Sequence, residues 1–88
     1  MKTIYKYLVV HPEVEMPEGA IILKFGEQNG SLCLWAEVDT SNSIGVRRFE
    51  VIGTGWDFSN FDKQNLVYLD TVFIDHFVWH IYEHISNL

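Results

Sequence analysis

Arg47 and Arg48 stand side by side before Phe49, in a chain whose other basic residues are four scattered lysines, Lys2, Lys6, Lys24 and Lys63. A guanidinium presents a rigid fork of donors that fits a phosphate or a carboxylate. The chain is also rich in rings, among them Tyr5, Tyr7, Trp35, Trp56, Tyr68, Trp79 and Tyr82. Nucleobases stack on aromatic faces and on guanidinium planes. A few cations among stacking rings are the least that a small nucleotide ligand requires. They are equally the chemistry of an ordinary core and an ordinary inter-strand ion pair, and the residues alone leave both readings open.

Other constellations point away from catalysis. His76, His80 and His84 recur every fourth residue beside Glu83. On a helix that spacing gathers metal ligands on one face. The intervening Phe77, Val78, Trp79, Ile81 and Tyr82 favour a strand, on which four residues span about 13 Å. Zinc ligands lie about 2 Å from the ion, so the run by itself does not chelate. Gly53-Thr54-Gly55 lacks the following helix that a phosphate-binding glycine loop needs, and is expected to be a turn or bulge. No Gly-x-Ser-x-Gly elbow occurs and no paired carboxylates stand out. Cys33, the single cysteine, excludes an intrachain disulfide and is expected to be a small buried hydrophobe. These features predict a protein that is not an enzyme and uses no metal or other cofactor.

The positioning elements follow from length, charge and pattern. The 88 residues suit one domain, 1–88, short enough that self-association would help to stabilise it. A net charge of −6 repels a polymer of phosphates and excludes a nucleic-acid groove, yet leaves cations for one small anion. No run approaches the roughly 20 apolar residues of a membrane span, and the start lacks the apolar core of a signal peptide. A cytoplasmic location is expected.

Most apolar residues are β-branched or aromatic. The sequence predicts a mainly β domain, a small antiparallel sheet or barrel-like fold of about six strands, at residues 3–10, 20–28, 31–39, 46–52, 66–73 and 77–83. Residues 13–19 carry two of the chain's breaker signals, Pro17 and Gly19, with three glutamates, and are expected to be a connection. Asp57 or Ser59 is expected to cap one short helical turn. Asn29-Gly30 is a strong hairpin signal, since both residues tolerate positive φ. With those two as the loop, Phe25 faces Leu34, Leu23 faces Ala36 and Ile21 faces Val38. One hairpin face is then wholly apolar, and the other carries Ile22, Lys24, Gly26, Cys33, Trp35 and Glu37, with Lys24 opposite Trp35. In the fourth strand Arg47 shares the parity of Phe49 and borders the core, while Arg48 points outward. The last strand is apolar on both sides, which predicts an interface and a homodimer or homotetramer.

Six segments in order carry a resemblance: Lys2-Thr3-Ile4-Tyr5-Lys6-Tyr7, Pro17-Glu18-Gly19-Ala20, Gln28-Asn29-Gly30, Cys33-Leu34-Trp35-Ala36-x-Val38-Asp39, Arg47-Arg48-Phe49-x-Val51-x-Gly53-Thr54-Gly55, and Phe77-Val78-Trp79-His80-x-Tyr82-Glu83. Together they resemble a family of short phage and prophage proteins of formerly unknown function that includes cyclic-nucleotide sponges acting against cyclic-oligonucleotide antiphage signalling. The chain departs from that pattern at residues 56–65, which are richer in aromatics and lack its proline and histidine. The resemblance implies a phage protein of the host cytoplasm that sequesters a cyclic dinucleotide without turnover. Lys6, Lys24, Arg47 and Arg48 are then candidates for the phosphates, and Tyr5, Trp35 and Trp56 for the bases. The alternative is a small non-enzymatic protein-interaction module of a phage or prophage.

Overall fold

The computed structural model describes residues 1–85. Its strands are β1 (Lys2–Leu8), β2 (Glu13–Pro17), β3 (Ile21–Gln28), β4 (Ser31–Asp39), β5 (Ile44–Gly53), β6 (Leu66–Ile74) and β7 (Phe77–His84). They form two open antiparallel sheets, one ordered β1-β4-β3 and the other β2-β5-β7-β6. The mainly β, antiparallel expectation holds, although neither sheet closes into a barrel.

There are seven strands because residues 13–17 pair with β5 rather than merely connect. Glu13, Val14, Glu15 and Met16 alternate exposed and buried, the period of a half-buried strand. Pro17 closes it at the sheet edge, where a missing N–H is tolerated. The helical turn is a single 3-10 turn at Lys63–Asn65, capped by Asp62, whose Oδ1 accepts from Gln64 N at 3.0 Å. Asp57 does not cap it. Its Oδ1 instead accepts from Ser59 N at 2.9 Å and Ser59 Oγ at 2.7 Å, a local loop tie.

The core lies between the sheets and includes Met16, Phe25, Leu34, Ala36, Val38, Phe49 and Ile81. Phe25 from the first sheet meets Phe49 from the second edge-to-face, centroids 5.5 Å apart. The Asn29-Gly30 turn has φ of 55° and 82°, and Gln28 faces Ser31 as expected. That register holds through Phe25↔Leu34 and Lys24↔Trp35 and then shifts at a bulge. Beyond it Ile22 pairs with Ala36 and Ile21 with Glu37. Ile22 therefore packs against the core, while Ile21 and Leu23, expected inside, point to solvent.

β7 occupies a central place, between β5 and β6. Its two apolar faces meet the core on one side and the chain's own loop on the other. Most of the strand's apolar side chains thus find cover within one chain, while Phe77 stays 62% exposed. Among the described residues no helix is long and apolar enough to cross a membrane.

Candidate functional site

Cross-strand pairing sorts the outer face of the first sheet into rows. Lys6 of β1 and Lys24 of β3 both stand opposite Trp35 of β4. The next row is Ile4, Glu37 and Ile21, and beyond it Lys2 faces Asp39. On the other side of Trp35 lie Leu8, Cys33 and Gly26. Gly26 leaves room for the indole. A methyl built there would lie 3.3 Å from Trp35 Cζ3 and 3.9 Å from Lys24 Cε, so the ring and the lysine stem both lean over this position. Lys6 reaches across β4 and donates from Nζ to Gln28 Oε1 at 2.5 Å.

Two properties combine on this face. Ile4, Leu8, Ile21 and Leu23 are 57%, 54%, 58% and 50% exposed, a concentration of large aliphatics on one open surface. Lys2, Lys6 and Lys24, half of the basic residues, also share it, and among the described residues none is in an ion pair. Of the two acids there, Asp39 is held by its neighbours. Ser41 N donates to Asp39 Oδ1 at 3.0 Å, and the chain's amino terminus lies 3.4 Å away. The Ser41 backbone N–H, the Ser41 hydroxyl and that amino group lower the Asp39 carboxyl below its ordinary pKa. Glu37 is exposed and in no ion pair among the described residues.

The other candidates are dispersed. Tyr5 shares the row of Ala36, on the opposite side of its sheet from Trp35, and meets Tyr7 edge-on at 6.3 Å. Burial, and then Tyr5, raise the Tyr7 hydroxyl above its ordinary pKa. Arg47 borders the core as its parity implies, but its fork is filled. Nε and Nη2 bond Glu83 at 2.5 and 2.9 Å, and Nη1 bonds Ala20 O at 2.7 Å. Hydrogen bonding to Glu83 raises the guanidinium pKa further. The residue ties β5 to β7 and to the backbone just before β3, so its donors are already engaged. Arg48 pairs with Glu13 at 2.7 Å on the exposed side. Trp56 lies over Gly53, where a methyl would come within 2.8 Å of its ring, and meets Trp79 edge-on at 5.4 Å. The structure thus gathers Lys6, Lys24 and Trp35 and separates them from Tyr5, Arg47, Arg48 and Trp56.

A second cluster lies on the outer face of the second sheet. Thr54 Oγ1 sits 2.7 Å from His80 Nε2, His80 Nδ1 sits 3.0 Å from Thr71 Oγ1, and Thr71 Oγ1 sits 2.5 Å from Tyr68 OH. Thr54 Oγ1 also donates to Val78 O at 3.4 Å. All four links are satisfied in one direction when Nε2 carries the hydrogen: tyrosine to threonine, threonine to imidazole, imidazole to threonine, threonine to carbonyl. His84 turns instead to Glu50, 3.1 Å away. The two histidines that share a face therefore serve different partners. Among the described residues no three His, Cys, Asp or Glu side chains gather to hold a metal ion. Sequence reasoning missed this network because His80 meets Thr54 and Thr71 only through strand pairing. Between the sheets opens an apolar cleft of about 360 Å³, bordered by Val9, Leu32, Val51, Ile74 and Trp79. His11 and Glu50 are the ionisable residues on its lining, and no lysine or arginine is among the residues that border it.

Fold and surface together define a two-sheet antiparallel β domain whose first sheet has an open outer face and whose second is covered only in part, with Ile44, Val46, Tyr68 and Phe73 exposed on it. The chain belongs to a family described as a domain of unknown function, DUF7352, whose model matches residues 1–87. No curated protein and no solved structure matches it.

Proposed function

We propose that the chain is a non-enzymatic binding protein that captures a cyclic dinucleotide on the open face of its first sheet, and so acts as a phage sponge in the host cytoplasm. One observation carries this reading: three lysines that are in no ion pair among the described residues share a face with Trp35, on a chain of net charge −6. Lys6 and Lys24 flank the indole and supply charge for the phosphates, and the indole supplies a stacking surface for a base. Tyr5, Arg47, Arg48 and Trp56 have no part in this placement. The exposed aliphatics of the same face favour the second reading, a protein-interaction module.

Thermal melting against a panel of cyclic di- and trinucleotides tests the first reading. A ligand at a hundred times its dissociation constant stabilises by about 2.7 kcal/mol. For a domain of this size that raises the midpoint by about 10–20 °C. Trp35→Ala should remove about 1–3 kcal/mol of affinity. The ligand should be recovered intact after heat denaturation of the complex. Recovery of a linear product indicates an enzyme, and no shift with any cyclic nucleotide leaves the interaction module as the better account.

A further inference from the structure

We propose that the open face of the first sheet is an isologous docking surface for a second copy of this chain, with Glu37 of each copy seated between Lys6 and Lys24 of the other. The argument is charge pattern. The face carries two adjacent rows, Lys6-Trp35-Lys24 and Ile4-Glu37-Ile21. Both lysines and Glu37 are exposed, and none is in an ion pair among the described residues. A two-fold axis in the plane of contact, across the strands and between these rows, lays each row over the other row of the partner. Trp35 then faces the partner's Glu37, which lies between the two lysines. Lys6 lies over the partner's Ile4 and Lys24 over the partner's Ile21, so aliphatic stems cover the exposed isoleucines while the ammonium groups reach the carboxylate. Turning the axis to run along the strands superposes like rows. It sets Lys6 against Lys24 and Glu37 against Glu37, an arrangement that like-charge repulsion disfavours. The pattern thus selects one orientation.

The patch is three strands wide, on the order of 400 Å² from strand spacing and rise. That is about half of what each partner buries in a standard interface, so the pairing is expected to be weak, micromolar or above. The partner's Glu37 carboxylate occupies the ground between the lysines assigned above to a phosphate. A further consequence rests on that assignment: a bound cyclic dinucleotide competes with the second copy.

Complementary charge reversal tests the pairing in the absence of nucleotide, by sedimentation at about 10–500 μM, the range that a weak interface requires. Glu37→Lys alone opposes three lysines across the axis, and Lys6→Glu with Lys24→Glu opposes three glutamates. Each variant should self-associate at least tenfold more weakly than the parent chain. An equimolar mixture of the two should associate at least as well as the parent, because every facing charge is then opposite. All three positions are exposed, and circular dichroism of each variant confirms that it folds. A monomeric parent, a Glu37→Lys variant that associates like the parent, or a mixture that stays monomeric overturns the pairing. Adding the nucleotide that melts highest then tests competition. Dissociation of the parent dimer supports it, and an unchanged dimer refutes the competition while leaving the charge-reversal result standing.

Discussion

The two sheets treat their outer faces differently. On the second, the loop after β5 folds back over the strands. Phe58 lies against Tyr82 at 5.8 Å, and Lys63 Nζ sits 5.7 and 5.6 Å from the Phe58 and Tyr82 rings. Ile52 and Leu66, which point to that side, are left only 5% and 8% exposed. On the first sheet no described segment returns over Ile4, Leu8, Ile21 and Leu23. Both faces carry large apolar side chains, so outward hydrophobicity alone does not mark a partner surface. The first face differs in that its exposed aliphatics lie beside Lys2, Lys6, Lys24 and Glu37, which are in no ion pair among the described residues.

The contrast can be broken most directly by truncation. Ile52→Ala should cost about 2–5 kcal/mol, as for buried aliphatics, because the covered face behaves as a second small core. Ile21→Ala should stay within about 0.5 kcal/mol in dilute solution, as for other surface changes. Chemical denaturation of both variants checks this, and equal losses would erase the distinction. Next in size is Arg47→Met, which leaves Glu83 beside the core without its clasp. Breaking a fully buried pair costs about 3–5 kcal/mol. Here the two side chains are 28% and 15% exposed, and solvent screening lowers the expected loss to about 1–3 kcal/mol. Arg48→Ala, on the exposed Glu13 pair, should lose about 0–1 kcal/mol in the same assay.

Smaller effects sharpen the comparison. Lys63→Ala removes the cation that lies over two rings of the covering loop. It should cost about 0.5–1 kcal/mol and speed amide exchange on β7 beneath. The smallest effect is acid sensitivity, with one carboxylate on each side of the contrast. Asp39 borders the open face, and Asp57 lies in the covering loop. Hydrogen bonds from Ser41 and Ser59 respectively lower both pKa values. Their contribution is present above the ordinary carboxylate value of about 3.9 and is lost as pH falls through the lower folded-state values. Carboxyl titration by NMR should place both midpoints below that ordinary value. A midpoint at or above it in either residue removes that tie.

Local chemistry made the Asn29-Gly30 hairpin legible, because two positive φ angles at a two-residue loop call for those residue types. The parity of Arg47 and Arg48 was equally legible. Residues 13–17 were not, because Pro17 and the glutamates weighed against an alternation that Val14 and Met16 were already making. The bulge in β3 had no sequence signal at all. It lies beside a contact between the sheets that only the tertiary fold creates, where Phe25 N on the edge of the first donates to Asp70 Oδ2 of β6 at 3.1 Å. β7 was correctly seen as apolar on both sides, but only the tertiary fold shows that its own loop supplies the second cover. At the candidate site, Lys24 beside Trp35 followed from the hairpin. Lys6 joined them only once β1 was known to pair with β4, a contact 29 residues away in sequence, from Lys6 to Trp35.

The β3 bulge also bears on how the chain tolerates changes in length. Leu23 is the extra residue between Ile22 and Lys24, and both neighbours already have partners on β4. Removing Leu23 would let the ladder run on without moving Phe25 or Ile22 from the core. A one-residue gap at this point is therefore neutral for the interior and alters only the surface. Deleting Leu23 is thus expected to change the open face while sparing the core, so at this one point of β3 a change of chain length acts as a surface change.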